Sequence, residues 1–258
     1  MVRLFDNRVT RWRAGRQAVN RRRVTRSELD RVANLSAEAA ATVERIRGLA
    51  WYHTLDLGHG VLTPGFVDHR PQLPFYGLPE SLEGKRCLDV ATFDGFWAFE
   101  FERRGSTDVV AIDVAERVDL DCPRWMLRDP EGFGLVGGMG ESFKVAHTIT
   151  ESKVERVERS VYDLDPEVDG MFDLVFISDV LVHLRDPQLA LERAYSVCRG
   201  EIVVADVFSP ELEALSHVPV AQFLGPGETW WHQNVACLRQ MMTVAGFDPI
   251  EEVSRFVL

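Results

Sequence analysis

The sequence predicts an α/β domain built on a parallel sheet with helices on both faces. Three observations predict it. From Lys85 onward, short runs rich in Val and Ile alternate with helical stretches. The first such unit, CLDVATFDGFWAFEFERRG at residues 87–105, reads as a buried strand, a turn with a single glycine and then a helix. The second strand ends VVAID on Asp113, 24 residues after Asp89. A strand-end carboxylate at that separation meets a ribose in nucleotide-binding sheets.

Taken in order, residues 1–50 form a basic arm and a helical extension. SELDRVANLSAEAAATVERIRGLA, residues 27–50, has the pattern of one or two helices, with Ser27 or Ser36 as N-cap and Gly48 near the end. Residues 51–84 mix Gly and Pro with aromatics, which suits a substrate-side loop lining a cavity better than a free linker. The main domain occupies residues 85–258. KRCLDVA is its first strand, GFWAFEFERRG a helix, and DVVAIDV at 108–114 the second strand. Glu116 to Gly140 is irregular, residues 141–153 read as a helix, and RVERSVYDL leads through a third strand. FDLVFISDVLVHL, residues 172–184, supplies the fourth strand and its exit; a helix from Pro187 to Cys198 precedes EIVVADVF, the fifth. An insert around 208–233, with GPGET before TWWHQN, reads as an aromatic lid, and PIEEVSRFVL after residue 247 as one last strand.

Composition bounds the function. The chain has 258 residues, 46% of them hydrophobic, enough for one large α/β core. No apolar run approaches the roughly 20 residues of a membrane span, and MVRLFDNRVTRWRAGRQ lacks a signal-peptide core, so a cytoplasmic protein is expected. The four cysteines are dispersed without CxxC, and no histidines stand at HxxxH or HExxH spacing, so neither a disulfide framework nor a metal site is expected. Net charge is −11, but residues 1–31 carry ten arginines against three acids, a net of +7, leaving −18 for the other 227 residues. Such an acidic body disfavours extended nucleic-acid binding. The basic arm reads as a solvated terminal helix, with contact to an acidic patch, a neighbouring subunit or RNA as the alternative.

In open α/β sheets the ligand lies beyond the carboxyl ends of the strands. Those ends offer Asp89 to Gly95, Asp113, Tyr162 with Asp163, and Ser178 with Asp179. Asp113 can accept from both hydroxyls of a ribose diol. Gly95 lets the main chain of the turn approach a ligand without a Cβ in the way. A pyrophosphate would favour the fuller GxGxxG turn, whereas here the turn is ATFDG and Asp94 adds negative charge. That points away from NAD and toward a ligand bearing an ammonium and a sulfonium, as S-adenosylmethionine does. Asp163 in SVYDLD can accept from an adenine amine.

These stretches resemble the class I S-adenosylmethionine-dependent methyltransferases with their Rossmann-like sheet. More narrowly they resemble the branch related to the tRNA wobble-uridine 5-oxyacetic acid methyltransferases and their small-molecule relatives. WYHTLDLGHGVLTPG, LDVATFDGFWAFEFERRG, VVAIDV, FDLVFISDVLVHLRDP, EIVVADVF and TWWHQNVACLRQMMTVAGF carry the resemblance, over roughly residues 51–258. It implies that the cofactor's methionyl part lies against Asp89, Ala91 and Gly95 and its ribose against Asp113. Asp163 would then face the adenine, and Ser178 the active-site side. Ala91 departs from the family's usual glycine. Members of the tRNA branch that use a carboxylated cofactor hold its extra carboxylate with Lys, Tyr and Arg. Here Val182 stands where that branch has Tyr, and GHGVLTPG offers no Lys, which favours ordinary methyl transfer. The family usually closes its sheet with a C-terminal hairpin, so a single last strand would leave an edge open to a second copy, as a homodimer, or to the N-terminal helices.

Methyl transfer to oxygen or nitrogen needs alignment and a proton acceptor. His53 in WYHT, His183 in VLVHL and His232 in TWWHQN are the candidate bases; His183 could equally brace the next helix. Trp51, Tyr52, Trp230 and Trp231, with Phe93 and Phe96, could wall an apolar acceptor site or fill the core beneath the lid. The expected activity is methylation of a hydroxyl or amine on a small specialised metabolite. Methylation of a modified tRNA nucleoside and a non-catalytic cofactor-binding scaffold are the alternatives.

Overall fold

In the computed structural model, which describes residues 5–6, 36–135, 137–225 and 229–256, the apolar runs form one parallel sheet. Its strands are β1 (Arg86–Val90), β2 (Asp108–Asp113), β3 (Glu155–Glu158), β4 (Phe172–Ser178) and β5 (Cys198–Ala205). They lie in the order β3-β2-β1-β4-β5. The chain leaves β1 to one side for β2 and β3, then returns to the other side for β4 and β5. Strand order therefore reverses at β1, and the carboxyl ends of β1 and β4 flank the crevice that this reversal opens.

Side chains of a strand alternate between faces, and here each face has its own apolar layer. Cys87, Val109, Ala111, Leu174, Phe176 and Val203 pack on one side with α2 (Phe96–Arg103) and α3 (Glu141–Ile149). Leu88, Val90, Val110, Ile112, Val175, Ile177 and Val204 pack on the other with α5 (Pro187–Val197) and α6 (Val235–Ala245). The first helix, α1 (Ala37–Ile46), starts at Ser36, whose hydroxyl accepts the Ala39 N–H at 3.1 Å. A short α4 (Pro166–Asp169) links β3 to β4. Ser27, the basic arm beyond Phe5–Asp6, and the centre of GPGET lie outside the described residues.

Three expectations are refined by the structure. Residues 51–84 belong to the core: Trp51, Leu55, Leu57, Val61, Tyr76 and Leu82 are buried against α2 and the sheet. The predicted helix over 141–153 stops at Ile149, and Glu151 takes a left-handed φ of 54°. PIEEVSRFVL forms no strand in its described residues. Side-chain anchors carry that tail elsewhere: Phe256 meets Tyr76 and Phe75, Ser254 donates to the Phe75 carbonyl, and Arg255 pairs with Glu252 and Glu213. The two residues Phe5–Asp6 pair in parallel with Val207–Phe208. The insert holds a two-stranded antiparallel hairpin, β6 (Ala221–Phe223) and β7 (Trp231–Gln233).

Candidate functional site

The turn after β1 is built from left-handed residues. Ala91, Phe93 and Gly95 have φ of 60°, 48° and 91°. For Ala91 this costs about 1–2 kcal/mol, which the family's usual glycine would largely avoid. At Gly95 a Cβ would come within 2.5 Å of Phe99 and 2.7 Å of Phe143. The glycine is thus required by its φ and by α2–α3 packing, independently of any ligand it lets approach. Asp89 is 1% exposed; its Oδ2 accepts the Thr92 hydroxyl at 2.6 Å and the Ala98 N–H at 3.2 Å. Burial pushes its carboxyl up to about 7. Asp113, at the end of β2, accepts the N–H groups of Phe93 and Val114, each at 2.8 Å. Each oxygen keeps a second lone pair, so the carboxylate can still receive two hydroxyls. Burial holds it above the usual carboxylate range.

Asp94 does something other than charge the turn. It is fully buried; Oδ2 accepts the N–H groups of Tyr52 and His53 at 2.8 Å each, and Oδ1 lies 2.5 Å from His53 Nδ1. The carboxylate that seemed to argue for a cationic ligand is spent on anchoring the 51–84 segment to the cofactor turn. His53 is buried with it, its carbonyl accepting the Thr63 hydroxyl.

Beneath that segment lies a cluster that no sequence motif marked. His69 is fully buried, its Nδ1 2.6 Å from Tyr76 Oη. Its Nε2 stands 3.8 Å from Asp179 Oδ2, the residue just past β4, and neither atom has a hydrogen-bond partner among the described residues. Asp179 takes a left-handed φ of 51°. Behind it Asp206, also fully buried, accepts the N–H groups of Leu181 and Val207. Burial, and then the nearby Asp206, push the Asp179 carboxyl up to about 8. Burial, and then His53, push His69 down to about 3, so its ring is neutral at pH 7. The only sequence signals for this cluster are a charge directly after a wholly apolar strand and a histidine in a Pro-rich segment.

The remaining predicted residues are scattered. Ser178 ends β4 with a buried hydroxyl that has no partner among the described residues. Asp163 is exposed on the turn after β3. His183 is exposed on the turn after β4, and its positive form would draw the Asp206 carboxyl down. His232 is half-buried on β7. Trp51 is 7% exposed, packs in the core and donates its indole N–H to the Ile46 carbonyl. Tyr52 is half-buried beside His53, Phe66 and Phe93.

Trp230 and Trp231 belong to a cover over the strand ends, tied at Asp121. Its Oδ2 accepts the Tyr162 hydroxyl at 2.5 Å and the Arg185 N–H at 2.7 Å, and its carbonyl accepts the Trp230 indole N–H at 2.6 Å. Arg185 also stacks over the Trp230 ring, and the Trp231 indole donates to the Arg185 carbonyl at 3.4 Å. A cavity of about 580 Å³ lies apart from all of these, between α3 and β3, lined by His147, Lys144 and Arg156 among others.

No protein-family model matches the chain. It is 26% identical over 164 residues to the tRNA U34 carboxymethyltransferase of Dichelobacter nodosus, covering 61% of this chain and 44% of that protein. It is 32% identical over 92 residues to the same-named protein of Syntrophotalea carbinolica, covering 35% and 28%. The chain thus spans less than half the length of the curated relatives it matches. Among solved structures, Burkholderia thailandensis 1,6-didemethyltoxoflavin-N1-methyltransferase, with bound 1,6-didemethyltoxoflavin and S-adenosylhomocysteine, is 18% identical over 71% of this chain and 70% of its own, with a TM-score of 0.42. The sheet order β3-β2-β1-β4-β5, all parallel, is that of a Rossmann-like sheet. The fold is that of the class I methyltransferases. Within that methyltransferase fold, Asp89, the 91–95 turn, Asp113 and Ser178 gather at the ends of β1, β2 and β4.

Proposed function

We propose that the chain is an S-adenosylmethionine-dependent enzyme that methylates a hydroxyl or amine of a small specialised metabolite. The observation that carries this reading is Asp113. It is a buried carboxylate at the end of β2 with lone pairs to spare, beside the left-handed turn after β1 at the point where strand order reverses. The residues fit the cofactor: Asp113 would take the ribose hydroxyls, the turn around Asp89, Ala91 and Gly95 the methionyl part, Asp163 the adenine edge, and Ser178 the active-site side. When bound, the cofactor supplies a methyl group on a positively charged sulfur. The protein's part is to hold the acceptor against it, exclude water and take up a proton.

Methyl transfer fits better than carboxymethyl transfer. Val182 is buried and apolar, and two acids, the half-buried Asp179 and the fully buried Asp206, stand at the ends of β4 and β5. An extra carboxylate on the cofactor would meet an apolar side chain and two acids there, neither of them paired with a lysine or arginine among the described residues. A modified tRNA nucleoside as acceptor rests on the names of the curated relatives, while the acidity of residues 32–258 weighs against it. Of the candidate bases, His53 is committed to Asp94 through Nδ1, which leaves its Nε2, His183 and His232 as the groups to test. Tyr52, Trp230 and Trp231 would enclose the acceptor.

The test is calorimetric titration with S-adenosylhomocysteine, with NAD as control. Binding of the former alone, weakened at least about 10-fold in Asp113→Ala through loss of charged hydrogen bonds, is the expected result. No binding, or preference for NAD, overturns the reading; binding opens the way to acceptor screening by mass spectrometry.

A further inference from the structure

β3 is an outermost strand of the sheet, at the opposite edge from β5: it pairs with β2 on one side, and among the described residues nothing pairs with the other. An open edge presents main-chain donors and acceptors to any chain that can match them. Which residues present them follows from the ladder. Asp113 stands opposite Glu158, and its carbonyl accepts the Arg159 N–H at 2.8 Å. Main-chain groups along a strand turn alternately to its two sides, so Glu155, Val157 and Arg159 face β2 while Arg156 and Glu158 face outward. Burial agrees: the Arg156 side chain is only 7% exposed although the residue as a whole is half-buried, so the surface it shows is largely main chain. Beside this edge, the cavity of about 580 Å³ between α3 and β3 is lined by Lys144, His147, Arg156, Val157 and Glu158 and leaves room for another strand.

We propose that this edge is the interface of a homodimer, in which β3 pairs antiparallel with β3 of a second copy about a two-fold axis at Val157. The run that carries it is ERVER, residues 155–159, whose charges invert about its centre. With the axis at Val157, Glu155 meets Arg159 of the second copy and Arg156 meets its Glu158, so every charged pair is of opposite sign. Arg156 and Glu158, the residues that face outward, then stand directly opposite each other and exchange both of their main-chain hydrogen bonds. Val157 meets its own copy on the face that carries the Leu88 and Val110 layer. The side chains have capacity for these pairs. Glu155 is exposed, the Glu158 side chain is 56% exposed and holds Arg156 at only 3.4 Å, and Arg159 remains a quarter exposed beyond its pair with Asp169. No neighbouring two-fold register does as well. An axis at Glu155, Arg156 or Glu158 sets that residue against its own like charge, and an axis between two residues sets an outward-facing residue against an inward-facing one. Charges on a short edge strand ordinarily prevent pairing; here they admit one register, and the two-fold pair closes on itself because it uses up the edge.

Sedimentation equilibrium on the full chain from about 1 to 100 μM should reach the mass of two chains at the upper end. Glu158→Arg sets like charges against each other on both sides of the axis and should weaken the dimer at least about 10-fold. Glu158→Pro removes an outward donor without touching the β2 ladder and should weaken it as much. Both replace an exposed side chain, and circular dichroism checks that each keeps the parent's fold. Glu192→Arg on α5, the same change of charge elsewhere, should leave the dimer intact. Single cysteines read the register, with the parent chain as baseline. The two Val157 Cα atoms would lie about 4.5 Å apart across the axis, within disulfide reach, so Val157→Cys should cross-link to its copy under mild oxidation. Glu158→Cys, opposite Arg156, should not. The proposal is overturned if the chain stays monomeric throughout the range, which would leave the cavity beside α3 to a small ligand. It is equally overturned if the dimer survives both Glu158→Arg and Glu158→Pro, since it would then form through another face, or if Glu158→Cys cross-links as readily as Val157→Cys.

Discussion

Replacing Asp94 by alanine should be among the most damaging single changes in the chain. The carboxylate is fully buried and serves three partners: the N–H groups of Tyr52 and His53 at 2.8 Å, and the His53 ring at 2.5 Å. Alanine leaves all three without an acceptor. A buried polar group stranded in this way costs about 1–3 kcal/mol. Tyr52 is half-buried and its N–H can recover water, so the expected loss is about 3–5 kcal/mol, a large part of the 5–15 kcal/mol that holds a typical domain. Asp94→Asn keeps one oxygen for the two main-chain donors and should lose only about 1–2 kcal/mol. Urea unfolding followed by tryptophan fluorescence measures both, with Trp51 next to the broken anchor as reporter. Hydrogen exchange at the Tyr52 and His53 amides should accelerate in the alanine variant before global unfolding. If Asp94→Ala lost less than about 1 kcal/mol, or if the two variants were equally unstable, the anchor described here would be wrong.

Further outcomes follow from the same geometry. Gly95→Ala should destabilise by more than about 2 kcal/mol, because a Cβ at φ 91° also meets Phe99 and Phe143; Ala91→Gly should be neutral to stabilising by about 1 kcal/mol, both read as shifts in urea midpoint. Asp89 and Asp179 are raised in the folded protein to about 7 and about 8 from 3.8, so the folded state binds more protons between those limits; stability should fall as pH rises from about 4 to 8, and Asp179→Asn should flatten the upper part of that fall. Asp173, pulled down to about 2 chiefly by Arg199, acts in the opposite sense and loses its contribution as pH falls from about 4 toward 2. Midpoints measured from pH 3 to 9 should therefore peak near pH 4–5, and a peak at pH 8 would contradict these shifts. Arg255→Ala should cost no more than about 1 kcal/mol globally yet speed exchange across 250–256, since its pairs with Glu213 and Glu252 are partly exposed.

The sheet was legible because four of its five strands carry apolar runs: VVAI before Asp113 and LVFI before Ser178 can bury both faces and do, whereas the edge strand Glu155–Glu158 has no such run. The positions of the residues proposed for the cofactor were legible for the same reason, since strand ends are read directly from the runs they terminate. The buried contact between His69 and Asp179 was not. His69 and Asp179 meet only because β4 runs beside β1 and the 51–84 segment folds beneath the first turn, a meeting set by topology rather than spacing. Asp94 was misjudged because sequence shows a charge but not the direction of its side chain. The last strand failed since PIEEVSRFVL has alternation enough for a strand, while its Ser254, Arg255 and Phe256 anchors lead the backbone across the end of the sheet instead of along β5.

Asp121 makes one object of four segments. The irregular stretch after β2, the turn after β3, the turn after β4 and the base of the β6–β7 hairpin all end on this residue. Segments joined at separate points would each fluctuate at their own rate, and a ligand could leave through whichever opened first. Joined at one carboxylate and its neighbouring carbonyl, they rise together or stay down together. The contacts over the strand ends should then loosen as one unit, with amides around Tyr162, Arg185 and Trp230 exchanging at a common rate set by this junction rather than by the loosest of its loops.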